Sequence, residues 1–302
     1  MTALQEHILA SLRTFAADQH LAVRGERSIE YGVQILLADG GAEIPVNIYT
    51  TGRIVIGGKP GALRSLLQGW ADTQQAAKPA APTLRVEVAH IGVDEAGKGD
   101  VFGPLVIAGA VVQPEQSSLL QAQGVRDSKM LTSAQIQHLA AWLPGRCPVE
   151  VLVLPPMEYN QRYAELGNLN QLLGWGHGRV IETLHARTGV ELALSDQFSQ
   201  RPHIQQALDA TGCPVRLEER PHAEADLAVA AASICARAAF ERALEELRLK
   251  SGFHLPFGAS DPAIPVILRK VRQRWGEDGL RRIAKLHFKP VKEILNPKGA
   301  AG

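Results

Sequence analysis

Chemistry is easiest to build in this chain where carboxylates meet the ends of apolar runs. The run 86–93 leads directly into Asp94-Glu95, and the run 190–194 into Ser195-Asp196. In α/β proteins ligands collect at the carboxyl ends of strands, so two strands that each end in an acid put negative charge on one rim. Glu224 opens a predicted helix whose next turns are small, with Ala225, Ala228, Ala230, Ala231, Ala232 and Ser233. Small residues let a helix lie close to a sheet, which would bring its first turn to the same rim. Crowded carboxylates raise one another's pKa unless a cation neutralises them. Oxygen ligands without His or Cys nearby favour Mg²⁺ or Mn²⁺ over Zn²⁺, and a pair of such ions suits in-line displacement at phosphorus. Taken singly, an acid at a strand end is more often a turn former or a helix cap.

The surroundings of Asp94 add weight. Residues 92–104 read GVDEAGKGDVFGP, in which glycines permit close backbone approach to a ligand and Lys98 sits between Gly97 and Gly99. Such a loop can track a sugar-phosphate chain. Gly92-x-x-x-x-Gly97-Lys98 is close to a nucleotide-binding P-loop, but Gly99 stands where Ser or Thr is required. A P-loop also opens a helix, whereas residues 104–112 read as a strand, so nucleotide triphosphate hydrolysis is excluded. Lys129, in Asp127-Ser128-Lys129, either meets a phosphate or lies on the surface beside the helix that follows.

The elements that must position these groups fall into two parts. In the first, Leu4, Ile8, Leu12 and Phe15 recur at helical spacing, and three stretches alternate: Tyr31, Val33, Ile35; Ile44, Val46, Ile48; Ile54, Ile56. A second helix carries Leu63, Leu66, Leu67 and Trp70, giving helix, three strands, helix. Residues 73–85 are Ala-, Gln- and Pro-rich, the composition of a linker. The expected domains are therefore 1–72, a linker 73–85, and 86–302. In the last of these, strands at 86–93, 104–112, 149–154 and 190–194 alternate with helices at 133–142, 174–187 and 224–247, an α/β class with a mixed sheet.

The chain of 302 residues has a net charge of +1 and 45% hydrophobic residues, ordinary for a globular protein and far from a fibrous or disordered one. Charge is uneven: residues 269–298 hold ten Lys or Arg against three acids, so Arg269, Arg272 and Arg282 are candidate polyanion contacts, or else form a solvated helix face. No apolar run is long enough for a membrane span and the first residues lack signal-peptide order, which predicts a cytoplasmic protein without membrane contact. Cys147, Cys213 and Cys235 have no zinc-like spacing and read as buried free thiols.

Together, the run 92–104, Asp127-Ser128-Lys129, Asp196-Gln197-Phe198, the segment 220–237 around Ala223-Glu224, residues 255–260 and Ala284-Lys285-Leu286-His287-Phe288 resemble the type 2 ribonucleases H. The amino-terminal part resembles the TBP-like substrate-binding domain that ribonuclease HIII carries and ribonuclease HII lacks. The resemblance implies a ribonuclease H-like catalytic domain with a mixed sheet, preceded by a small α+β TBP-like domain. It further implies endonucleolytic hydrolysis of the RNA strand of RNA–DNA hybrids by two Mg²⁺ or Mn²⁺ ions, leaving 5′-phosphate and 3′-hydroxyl ends. Asp94, Glu95, Asp196 and Glu224 would be the metal-binding acids, and Gly97, Lys98 and Gly99 the reader of ribose 2′-hydroxyls. No obligatory protein partner is evident. Glu224 matches ribonuclease HIII, whose sister has Asp there, although His222 replaces the family's Lys. Asp226 lies two residues on, about 200° away if both sit on one helix. His287 reads as a core histidine satisfied by backbone, with substrate contact or a proton role near the site as the alternatives. Tyr31, Tyr49 and Arg53 are candidates for stacking or backbone contact on the small domain. The rival readings are ribonuclease HII-like cutting at single embedded ribonucleotides and a hybrid-binding protein without catalysis.

Overall fold

The computed structural model describes residues 3–29, 31–50, 52–76 and 86–296. The chain divides into two compact units, Met1–Ala81 and Pro82–Gly302. In the first, α1 (Ala3–Asp18) and α2 (Ala62–Ala76) flank a four-stranded antiparallel sheet in the order β1 (Ala22–Ile29), β2 (Gly32–Ala38), β3 (Glu43–Tyr49), β4 (Ile54–Ile56). The alternation fixes its inner face: Val33, Ile35, Leu37, Ile44, Val46, Ile48, Ile54 and Ile56 pack with Leu9 and Leu12 of α1 and with Leu67 and Trp70 of α2. Asp39 shapes the β2–β3 turn by accepting the Gly41 and Ala42 amides at 2.9 and 2.8 Å. The sequence predicts three strands here, and the structure has four. β1 is exposed along nearly its whole length, so it carries no buried-exposed alternation to read. Residues 73–76 of the expected linker belong to α2, and 77–85 lie outside the described residues.

The second unit is built on a mixed five-stranded sheet. Its order is β7 (Val149–Leu154), β6 (Leu105–Val112), β5 (His90–Ala96), β8 (Leu192–Asp196), β9 (Arg216–Arg220). β5 pairs antiparallel with β6 and parallel with β8, and β8 pairs parallel with β9. The unbroken apolar run of β6 reflects burial on both faces. Val106, Ala108, Ala110 and Val112 join the core under α8 (Leu227–Ser251), whereas Leu105, Ile107 and Val111 join the core under α6 (Leu169–Thr188) and α7 (His203–Thr211). Also present are α3 (Ser117–Ala122), α4 (Ser133–Trp142), α5 (Pro156–Leu166), α9 (Ile264–Ile283, broken at Gly276) and α10 (Lys289–Leu295). Among the described residues no helix is long and apolar enough to cross a membrane.

The small residues of α8 act as the sequence suggests. A Cβ on Gly92 would lie 2.2 Å from both the Ala228 carbonyl carbon and the Val229 nitrogen, so the helix backbone rests directly on β5. The start of α8 differs from expectation. Ala223–Ala225 form a 3-10 turn, Asp226 is the extended N-cap residue, and the α-helix begins at Leu227.

Candidate active site

Strand pleating decides which way each acid points. Asp94 and Glu95 lie within β5 rather than beyond it, because the strand is His90–Ala96 and not 86–93. Neighbouring residues on a strand face opposite sides. Asp94 therefore shares the α8 side with Gly92, and Glu95 turns to α6, where His177 meets it. Parallel pairing of β5 with β8 sets Val93 opposite Ser195, which brings Asp196, the last residue of β8, alongside Asp94. Asp196 pairs in turn with Arg220, and the chain from β9 leads into the 3-10 turn that holds Glu224.

One cation reports on the convergence of these acids. Lys129 follows the N-cap Asp127, whose Oδ1 accepts its amide at 3.0 Å, and the turn is tied to α8 by the Ser128 amide donating to Ser233 Oγ at 3.2 Å. Burial pushes the Lys129 ammonium down, but Asp127, Glu224, Asp94 and Asp196 outweigh it and raise its pKa. Three of the four expected ligands thus lie within electrostatic reach of one exposed lysine. The fourth is held apart: Glu95 Oε2 meets His177 Nε2 at 3.1 Å and Oε1 accepts from Lys98 Nζ at 2.6 Å. Burial pushes the Glu95 carboxyl up, yet His177 and Lys98 overcome it and bring it to about 2. Asp94 goes the other way, raised well above the usual carboxylate range by burial and then by the charge of Glu95.

Asp226 does not compete for this centre. Its side chain is 4% exposed, its Oδ1 accepts from the Ala228 and Val229 amides, and the same oxygen meets His90 Nε2 at 2.9 Å. Glu224 and Asp226 do not share a helix, so the expected 200° separation is replaced by a turn residue, 25% exposed, and a buried cap. His222 stands beside Glu224 at 3.8 Å.

The glycine-rich loop is framed from behind. Gly97 has φ 87° and is buried, since a Cβ there would meet the Pro104 carbonyl at 2.4 Å and the Phe240 ring. Only Lys98 and Gly99 of the triplet face outward. Asp100 Oδ1 accepts the Gly258 amide at 2.6 Å, and the fully buried Lys285 donates to the Asp100 and Gly103 carbonyls at 3.0 and 2.8 Å. His287 is satisfied not by backbone but by the Tyr159 hydroxyl at 3.2 Å, and it stacks on Tyr163 at 4.7 Å. Burial, Lys285 and Lys292 push its pKa down to about 4. Within the basic segment, Lys285 is internal and Arg272 donates to the Ile294 carbonyl, so neither is free for a polyanion. Cys147 and Cys235 are buried, but Cys213 is half-buried.

Among the described residues no three His, Cys, Asp or Glu side chains converge as a formed metal cage. The donors nevertheless fit hard divalent cations. They are all oxygen, Lys98 already pairs with Glu95, and Lys129 lies within electrostatic reach of the other three. Sequence reasoning misses His177, His90 and Lys285. For His177 a signal exists in Gly174, Gly176 and Gly178, glycines inside a helix that mark close packing. A Cβ on Gly176 would lie 2.1 Å from Ile107 Cδ1.

The ribonuclease HII family model matches residues 91–291, from β5 into α10. Ribonuclease HIII of Protochlamydia amoebophila is 40% identical over 83% of this chain and 84% of its own. That share exceeds what the second unit alone can supply, so the likeness reaches into the first. The chain belongs to the ribonuclease HIII family. Ribonuclease HIII of Chlamydia caviae is 38% identical over 70% of this chain and 71% of its own. Among solved structures, Bst-RNase HIII in complex with Mn²⁺ covers 96% of this chain and 95% of its own at TM-score 0.63 and 26% identity. The ribonuclease H2 of Pyrococcus horikoshii covers 68% of this chain and 97% of its own at TM-score 0.60 and 28% identity. The fold is thus that of the ribonuclease HIII enzymes, a ribonuclease H-like catalytic unit with a small TBP-like domain before it.

Proposed function

We propose that this enzyme cuts the RNA strand of RNA–DNA hybrids endonucleolytically, in the cytoplasm, leaving 5′-phosphate and 3′-hydroxyl ends. The observation that carries the reading is the parallel pairing of β5 with β8, which sets Asp196 alongside Asp94, with Glu224 in the turn that follows β9. Carboxylates gathered at one rim of the sheet can hold metal ions, and Asp94, Glu95, Asp196 and Glu224 would hold two, Mg²⁺ or Mn²⁺. Ions bound there would supply an activated water and neutralise charge on the leaving 3′ oxygen.

The protein's own groups do the rest. Lys98 and Gly99 stand at the exposed tip of a loop fixed by Asp100, Gly258 and Lys285, where they meet ribose 2′-hydroxyls across a shallow minor groove. Gly97 gives the loop its turn behind them. Lys129, exposed at the edge of these acids, meets a substrate phosphate. The first unit adds to the grip on the hybrid and the second unit cuts.

The test compares metal-dependent cutting of a uniform hybrid with cutting of a DNA duplex that holds one ribonucleotide. Efficient cutting of the first and poor cutting of the second is expected. Equal rates would assign ribonuclease HII-like specificity instead, and binding without cutting would leave a hybrid-binding protein.

A further inference from the structure

His177 is an unusual residue to bury. It lies inside α6, its side chain is 0% exposed, and its single hydrogen bond among the described residues runs from Nε2 to Glu95 Oε2 at 3.1 Å. Nδ1 is buried without a hydrogen bond. Burying an imidazole costs free energy unless its polar atoms are paired, so an apolar side chain would fill this place more cheaply if packing were the only requirement. The surroundings hold the ring still. Phe198 lies against it at 5.8 Å between ring centres, and α6 is clamped by its glycines, Gly176 against Ile107 and Gly178 against Ala207. Glu219, whose Oε1 is also buried without a hydrogen bond, is near enough to interact electrostatically with the ring.

Glu95 needs such an anchor. Its neighbour Asp94 points to the other face of β5, so the backbone alone does not aim Glu95 at the same centre. With Oε2 held by a rigid, internal donor, Oε1 is the oxygen left for a cation, and Lys98 takes it here at 2.6 Å. We propose that His177 is a positioning residue for metal binding: it fixes Oε2 of Glu95 so that Oε1 is presented to a divalent ion in exchange for Lys98. The proposal rests on the reading of Glu95 as a metal ligand. Groups one step behind a metal ligand orient it, and their removal costs about tenfold to a hundredfold in metal affinity.

The test measures Mn²⁺ binding to the full chain without nucleic acid, by electron paramagnetic resonance titration, for the wild type, Glu95→Gln, His177→Leu and His177→Gln. Glu95→Gln and His177→Leu should each weaken binding, the latter by about tenfold to a hundredfold. His177→Gln, which keeps a donor, should recover most of the loss. A His177→Leu protein that unfolds cooperatively and binds Mn²⁺ like the wild type, while Glu95→Gln binds weakly, overturns the proposal and leaves the reading of Glu95 standing. Unchanged binding by Glu95→Gln overturns both. If His177→Leu does not fold, imidazole ¹⁵N spectra of the wild type decide: a proton on Nε2 of His177 whose signal moves on Mg²⁺ addition is expected. A proton on Nδ1 alone, or no response to Mg²⁺, overturns the proposal.

Discussion

Lys285 should make the stability of this protein rise with pH across a neutral-to-alkaline window, well above the range in which carboxylates drive ordinary acid unfolding. The ammonium is wholly buried, donates to the Asp100 and Gly103 carbonyls, and lies over the Tyr159 ring at 5.5 Å, with no carboxylate bonded to it. Burial takes its pKa from 10.5 to about 7. Between those values the unfolded chain binds a proton that the folded chain does not, so stability rises with pH. The cost of burying the charge is present in full below about pH 7 and fades as pH climbs towards 10.5. At about 1.4 kcal/mol per pH unit, the window sets a ceiling of about 5 kcal/mol, which relaxation around the group reduces. The perturbation is Lys285→Met, similar in length and unable to titrate. Urea unfolding of both proteins from pH 7 to 10 should show the wild type gaining stability on the variant at every step. At pH 7 the variant trades relief of the buried charge against two unpaired carbonyls, each worth about 1–3 kcal/mol. A stability difference independent of pH would refute the reasoning.

Other consequences follow from the same packing. Gly92→Ala places a methyl 2.2 Å from the α8 backbone, so stability should fall by about 3 kcal/mol or more in denaturant unfolding, and a loss under about 1 kcal/mol would contradict the close helix-to-strand contact. Asp226→Ala removes an N-cap and leaves His90 without its partner; unfolding experiments should show a loss of about 3–5 kcal/mol. Glu224→Gln should do the opposite, leaving stability near wild type while hybrid turnover falls about a hundredfold or more; the reverse ranking of these two variants would exchange their roles.

What the sequence reveals depends on how local the physics is. Asp196 was readable because it closes an apolar strand and Asp94 because an apolar run leads into it, and the core faces of β2, β3 and β4 because one side of each is buried. β1 escaped notice because it is exposed along nearly its whole length, and β9 because its sequence RLEER has Leu217 as its one apolar residue. Ala223 to Asp226 look helical by composition, yet Asp226 is a strong N-cap residue that starts the helix three residues late. The bonds from His177 to Glu95, His90 to Asp226 and Lys285 to Gly103 span 82, 136 and 182 residues, and no sequence periodicity links partners so far apart.

The central claim is that the carboxylates gathered before Lys129 cut RNA paired to DNA. It is tested most directly by incubating an end-labelled uniform RNA–DNA hybrid with Mg²⁺ and either the wild type or Asp196→Asn. The wild type should cut the RNA strand internally, leaving 5′-phosphate and 3′-hydroxyl ends, and the variant should bind the hybrid and fail to cut it. Near wild-type cutting by Asp196→Asn, or products with the opposite ends, would contradict the account.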